Sequence, residues 1–186
     1  MALTPSTMAP LGFTAPDFQL IEPASGQIRS LTELQGESGT LVVFTCNHCP
    51  FAQHIEACLV KKAAEWQKQG IAVVAISSND VESHPQDGPE QMAKRAKEKG
   101  YTFPYLYDET QAIAKEYNAA CTPDFFLFDE NLSCVYRGQF DDSRPGNSIP
   151  VSGSSLDAAI SQLLENGQPL SEQKPSIGCN IKWRSA

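Results

Sequence analysis

The stretch Thr40-Leu-Val-Val-Phe-Thr-Cys-Asn-His-Cys-Pro-Phe51 decides the fold. Thr40 to Thr45 is a short, almost wholly apolar run of β-formers, the pattern of a strand covered on both faces. Beyond Pro50 the apolar positions Phe51, Ile55, Leu59, Ala63 and Trp66 recur mostly at intervals of three and four. That spacing predicts an amphipathic helix ending near Gly70. Cys46 and Cys49 therefore stand where a buried strand hands over to a helix. The first N–H groups of a helix lack intrahelical acceptors, and the macrodipole adds partial positive charge there. A thiolate at that end is stabilised, so its pKa falls and its nucleophilic fraction rises. The C-x-x-C spacing puts both sulfurs on one face of the first turn, within disulfide reach. Cys46 is expected to be the more exposed, nucleophilic thiol and Cys49 the resolving one. Pro50 is tolerated so early in a helix and fixes the turn. His48, if cationic, would stabilise the Cys46 thiolate further. Thr45 and Asn47 are the remaining candidates here for tuning or positioning.

Outward from this stretch, Ala15 to Ile21, the Ala24-Ser25-Gly26 turn and Ile28 to Leu34 predict an N-terminal hairpin or extended arm. Ile71 to Ser77 reads as a second buried strand. Asp80 to Pro89 reads as a polar loop, and Glu90 to Lys99 as a charged helix closed by Gly100. Phe103 to Tyr107 predicts a short strand and Thr110 to Asn118 a helix. Asp124 to Asp129 and Ser133 to Arg137 predict an antiparallel hairpin around Glu130-Asn131. Gly138 to Gly153, rich in Asp, Ser, Pro, Gly and Asn, is a loop long enough to carry a function. Ser154 to Glu165 is the last helix. The order predicts an α/β chain: a central mixed β-sheet flanked by helices on both faces. His54 and His84 read as surface residues. Pro123, in Cys121-Thr122-Pro123-Asp124, cannot sit inside a ladder and marks a tight turn into the following strand.

The chain has 186 residues, of which 41% are hydrophobic and 19% charged, as expected of one folded domain rather than a disordered one. No apolar run approaches the roughly 20 residues that cross a bilayer, and Met1 to Leu11 lacks a signal-peptide pattern. A net charge of −8 argues against a nucleic-acid partner, whose phosphates would repel the surface. These features predict a cytoplasmic protein with no membrane partner. Six cysteines in a chain of this length, without an export signal, are expected to be mostly reduced. Cys58 and Cys134 read as buried small apolar residues. No second C-x-x-C or H-x-x-x-H completes a structural zinc site, so no metal is expected. Cys179 lies in the tail, near what reads as a flexible terminus.

Strand, C-x-x-C, helix, strand, then Thr122-Pro123 before a β-hairpin and a closing helix resembles the thioredoxin superfamily. The opening Ala15-Pro-Asp-Phe18, with Gly26 and Leu31 to Leu34, is similar to the N-terminal extension of its redoxin (AhpC/TSA-like) group. Three segments carry a closer likeness to the peroxiredoxin-like, C-x-x-C-bearing members: Cys46 to Phe51, Asp141-Asp-Ser-Arg-Pro-Gly-Asn147, and Pro175 to Trp183. The resemblance implies a thioredoxin fold with an N-terminal β-hairpin extension and a C-terminal tail. It describes a single domain over residues 1–186, with a core at about 12–168 and a tail at 169–186. It implies that Pro123 is cis and packs, with Thr122, against the cysteine pair. It would also bring Cys121 near that pair, where Cys121 and Cys179 are additional thiols. Arg144 would either approach the site and supply positive charge or stay a loop arginine paired with Asp141 or Asp142. The peroxiredoxin pattern P-x-x-x-T-x-x-C is absent, because Thr45 adjoins Cys46 and no proline stands upstream.

The expected function is a thiol–disulfide oxidoreductase that uses Cys46 and Cys49, with no cofactor beyond a redox-active Cys46–Cys49 disulfide. Its partners would be a disulfide-bearing protein or a small thiol, with a reductant such as a thioredoxin or glutathione system. The alternative is a thiol-dependent peroxidase of peroxiredoxin type, an antioxidant role. A copper-binding chaperone of the same fold and a non-catalytic interaction module with an inert cysteine pair are the remaining readings.

Overall fold

Residues 3–185 are described by a computed structural model. The anticipated central strand is β4 (Gly39–Phe44), buried along its whole length. It pairs in parallel with β5 (Ile71–Ser77), Gly39 opposite Ile71 through Phe44 opposite Ile76. On its other side it pairs antiparallel with β8 (Asp124–Phe128). The N-terminal hairpin β2 (Gln19–Glu22) and β3 (Gln27–Ser30), the short β6 (Tyr105–Tyr107) and β9 (Cys134–Gly138) complete the sheet. The order is β3-β2-β6-β5-β4-β8-β9, a mixed sheet as expected.

Successive residues of β4 point to opposite faces, which is why the run needs cover on both. Leu41 and Val43 pack with Ile55, Leu59 and Trp66 of helix α2 (Pro50–Gln67) and with Leu156, Ile160 and Leu163 of α5 (Ser154–Asn166). Helix α3 (Pro89–Lys99) adds Met92 to that face. Val42 and Phe44 pack oppositely, against Leu31 of the single-turn α1 (Leu31–Leu34) and Ile113 and Ala114 of α4 (Ala112–Glu116). Gly100 caps α3 in a left-handed conformation, φ 68°, that favours glycine. The α4 helix is shorter than its pattern predicts because Gln111 turns to a positive φ of 63°, so the helix starts only after it.

The tail departs from the expectation of a flexible terminus. Ile177–Asn180 forms β10, the middle strand of a second, three-stranded sheet between β1 (Leu3–Pro5) and β7 (Cys121–Thr122). Both of its edges are paired, and Gly178 and Cys179 are buried. Pairing with segments far away in sequence orders this strand, which is why the local pattern did not announce it. Pro123 separates β7 from β8, so one segment serves two sheets. Where β8 begins, Asp124 forms a fully buried ion pair with Arg137 of β9, whose guanidinium also lies 3.7 Å over the Phe126 ring. Among the described residues, no helix is long and apolar enough to cross a membrane.

Candidate active site

Cys46 and Cys49 lie at the C-terminal end of β4 and the start of α2, with Cys49 as N-cap and Pro50 opening the first turn. Thr45 continues from β4, its N–H donating to Ile76 O at 2.9 Å. The Thr122–Pro123 bond is cis, as the resemblance implied, and Thr122 meets both sulfurs. Its Oγ1 is 3.5 Å from Cys46 Sγ, and its carbonyl oxygen is 3.0 Å from Cys49 Sγ. Neither sulfur is openly exposed: Cys46 is 4% accessible and Cys49 0%, so the expected order of exposure holds by a thin margin. No disulfide joins any cysteines among the described residues.

The electrostatics differ from the expectation for Cys46. Its thiol is pushed up, first because it donates to Cys49, then by burial and by the negative charge of Asp87. Cys49 is lowered to about 5, chiefly by the hydrogen bond from Cys46, with further help from the Cys179 thiol and the Ala52 N–H and against burial. The two thiols thus share a proton: their mutual hydrogen bond biases it toward Cys46, while the Thr122 carbonyl oxygen 3.0 Å from Cys49 Sγ favours a proton there. The helix N-terminus, expected to lower Cys46, contributes instead to Cys49 through the Ala52 N–H, and less than the Cys46 hydrogen bond does.

Asp87 was missed by the sequence reading. It lies in the predicted loop, where a short turn of 3₁₀ helix, Pro85–Asp87, carries it inward until it is fully buried. One carboxylate oxygen accepts from the N–H groups of Asn47 (2.8 Å) and His48 (3.1 Å). The other accepts from His48 Nδ1 at 2.5 Å and Asn79 Nδ2 at 2.8 Å. The carboxylate only accepts, so Nδ1 carries its proton toward Asp87. His48 Nδ1 is also 3.8 Å from Cys46 Sγ, but Asp87 holds the ring first. Asn47 is buried and anchors the loop through Gln86 O, Tyr105 Oη and Gln53 Nε2. His84, expected at the surface, stacks on His48 with ring centroids 4.8 Å apart, and burial lowers its pKa. His54 is half-buried and bonded to Ser143 Oγ at 2.7 Å.

Arg144 takes the loop alternative, though not through a carboxylate. Its guanidinium donates to the carbonyls of Asp141 and Ser143 and to Gln139 Oε1. The Asp141 carboxylate instead accepts from the N–H groups of Ser143, Ser152 and Gly153, closing the loop before α5. Among the described residues, no hydrogen bond joins Arg144 to a sulfur. Cys121 is buried, with its thiol 3.7 Å from Pro123 O and pushed up by burial. Cys134 is buried, as expected, and Cys58 only partly so.

The third thiol at the site is Cys179. Its Sγ lies 2.8 Å from Cys49 Sγ, and Cys46, Cys49, Ala52 and Cys179 form one buried cluster. Cys46, His48 and Asp87 also present ligand atoms within 4.8 Å of one another. Two ligands of a tetrahedral ion at ~2.0–2.2 Å would stand about 3.3–3.6 Å apart. The 2.5 Å between His48 and Asp87 is that of a hydrogen bond instead.

The AhpC/TSA family model matches residues 11–137. The chain belongs to the AhpC/TSA family. An uncharacterized conserved protein from Geobacillus kaustophilus is 52% identical, with a TM-score of 0.97 over 100% of this chain and 98% of that one. A hypothetical protein from Sinorhizobium meliloti is 46% identical, with a TM-score of 0.95 over 98% of this chain and 100% of that one. The thioredoxin domain of a thiol-disulfide oxidoreductase from Bacteroides vulgatus shares the fold at 17% identity, with a TM-score of 0.62 over 82% of this chain and 99% of that one. No protein of curated function matches the sequence. The family and fold are those of thioredoxin-like redoxins, a group of oxidoreductases.

Proposed function

We propose that the protein is a thiol–disulfide oxidoreductase whose working pair is Cys46 and Cys49, with no cofactor beyond their disulfide. The observation that carries this reading is the meeting of both sulfurs on Thr122, the residue before the cis proline. Thr122 offers a hydroxyl to one sulfur and a carbonyl to the other. That arrangement suits the tautomer in which Cys46 is a thiolate and Cys49 a thiol donating to the carbonyl. The Cys46 proton moves to Cys49 as Cys46 attacks one sulfur of an incoming disulfide. A mixed disulfide forms and the first leaving thiolate departs. Cys49 then loses its proton and attacks Cys46 Sγ, releasing the second thiol and closing the Cys46–Cys49 bond. The partner is reduced by two electrons and the protein oxidised by two. A small thiol or a thioredoxin-type reductant restores the dithiol, and a reducing cytoplasm is the compartment that suits such a cycle.

Turnover of oxidised glutathione or a chromogenic disulfide, with dithiothreitol as reductant, tests this. Cys46→Ser is expected to lose activity by on the order of 100-fold or more, and Cys49→Ser to accumulate the mixed disulfide as a mass adduct. Full activity in Cys46→Ser would refute the assignment.

A second reading, a thiol-dependent peroxidase, is supported by membership of the AhpC/TSA family. Cys49 thiolate would attack the peroxide and become a sulfenic acid, with release of the alcohol or water. The Cys46 thiol would condense with it to the disulfide, releasing water. Oxidation by stoichiometric hydrogen peroxide faster than by oxidised glutathione would select this chemistry.

A further inference from the structure

We infer that the site is a three-thiol relay in which Cys179 takes the disulfide over from Cys46, leaving Cys49 joined to Cys179 and Cys46 again a free thiol. The inference rests on reading Cys46 and Cys49 as a redox pair, and adds a residue on a different strand to it. Cys49 is shared by both pairs: it packs with Cys46 in one buried cluster, meeting it on Thr122, and lies 2.8 Å from Cys179 Sγ. That separation is less than 1 Å longer than an S–S bond of ~2.05 Å. Cys179 comes from a strand 130 positions further along the chain, so its approach is tertiary in origin.

Several features hold it there. Cys179 pairs with Thr122, the residue that both active sulfurs touch. Ser176 Oγ donates to Pro123 O at 2.7 Å, tying the chain just ahead of β10 to the cis proline. Gly178 lets the strand close in, because a Cβ there would stand 2.0 Å from the Thr122 carbonyl oxygen. The family match ends at residue 137, so this strand and its cysteine lie outside it.

The relay needs no further oxidant. The Cys179 thiol gives up its proton and attacks Cys49 Sγ of the Cys46–Cys49 disulfide. The Cys46–Cys49 bond breaks, the Cys49–Cys179 bond forms, and Cys46 leaves as a thiolate that takes the proton. The oxidising equivalent moves inward by one sulfur. Cys179 is 2% accessible and Cys49 0%, so an external reductant recovers the dithiol through Cys46, the least buried of the three at 4%. The same exchange then runs in reverse.

Reduced full-length protein is treated with one equivalent of diamide, which takes up the two electrons and two protons. It is then quenched in acid with N-ethylmaleimide and digested for mass spectrometry of linked peptides. The expected result is a Cys49–Cys179 linkage in a fraction of molecules whose Cys46 carries maleimide, with Cys121 alkylated throughout. In Cys179→Ala the oxidised protein should hold only the Cys46–Cys49 bond and no alkylated Cys46. Wild-type protein oxidised wholly to Cys46–Cys49, with Cys179 fully alkylated, overturns the relay while leaving the redox pair intact. Absence of any disulfide overturns both. An unchanged alkylated fraction of Cys46 in oxidised Cys179→Ala also overturns the relay.

Discussion

His48 Nδ1 lies 2.5 Å from the Asp87 carboxylate, which comes from a loop 39 positions further along the chain. The same carboxylate accepts both N–H groups of the turn between the two cysteines. The histidine that looked like a modulator of Cys46 is thus committed to a buried acid, and that acid pushes the Cys46 thiol up. Asp87→Asn should therefore make Cys46 more acidic, visible as a shift of thiolate absorbance toward lower pH. It should also destabilise the fold by about 1–3 kcal/mol, because the new amide faces donors on His48 and Asn79. A Cys46 titration unmoved in this variant would contradict the role given to Asp87.

The stability of the reduced protein should depend on pH in a defined direction. Cys49 loses its proton near 5 in the folded state against an ordinary value of 9.0. Between those values the unfolded chain binds more protons, so stability rises with pH, by up to ~1.4 kcal/mol per unit. This contribution is complete above 9.0 and is lost as pH falls through about 5. Cys46 and Cys179 are both raised and act oppositely, so above 9.0 the trend reverses. Urea midpoints across this range should rise less steeply in Cys49→Ser, above 6.5 most clearly, since His84, lowered by burial, contributes a rise of its own below that value.

Thr122→Val keeps the shape of the strand and removes the hydroxyl that faces Cys46 Sγ at 3.5 Å. Hydrogen bonding by the Thr122 side chain lowers both thiols. Its loss should slow disulfide exchange by roughly tenfold, at a stability cost of about 0.5–1.5 kcal/mol. Stopped-flow reduction of a model disulfide reads the rate, and an undiminished rate would remove Thr122 from the mechanism.

Arg137→Met should cost about 3–5 kcal/mol, because Asp124 is left charged, buried and unpaired. Burial already raises the Asp124 pKa against the pull of Arg137. The double variant Asp124→Asn with Arg137→Met should recover part of the loss in chemical denaturation. A double variant no more stable than Arg137→Met would place the cost in lost packing on Phe126 instead.

Gly178→Ala forces the β10 backbone away from Thr122. The expected cost is about 1–3 kcal/mol, typical of overpacking. Near-ultraviolet circular dichroism and the alkylation rate of Cys179 should both change, since the displaced strand carries that thiol. A Cys179 alkylated no faster than in the wild type would mean that the strand tolerates the methyl group in place.

Much of the architecture was legible in the chain. The unbroken apolar run ending at Phe44, the three-and-four spacing after Pro50 and the hairpin around Glu130-Asn131 are local patterns, and each appeared as read. The cis bond before Pro123 followed from resemblance and is present. The partners of the sulfurs were not legible. Asp87 looked like one more acid in a polar loop, and His84 like a surface histidine. No local pattern distinguishes a carboxylate that folds inward from one that stays in water. A proline opening the Pro85–Asp87 turn was the nearest signal, and it marks a turn without saying what the turn presents.

The order of residues alone placed two cysteines at the junction of a buried strand and a helix, because periodicity and helix-end chemistry act over a few neighbouring positions. Which acid and which hydroxyl bias that pair, and which third thiol touches it, was decided by groups far apart in sequence: Asp87, Thr122 and Cys179. Charge on a buried sulfur answers to whatever dipoles and donors the packed chain brings within a few ångströms, and only the assembled sheets define that neighbourhood.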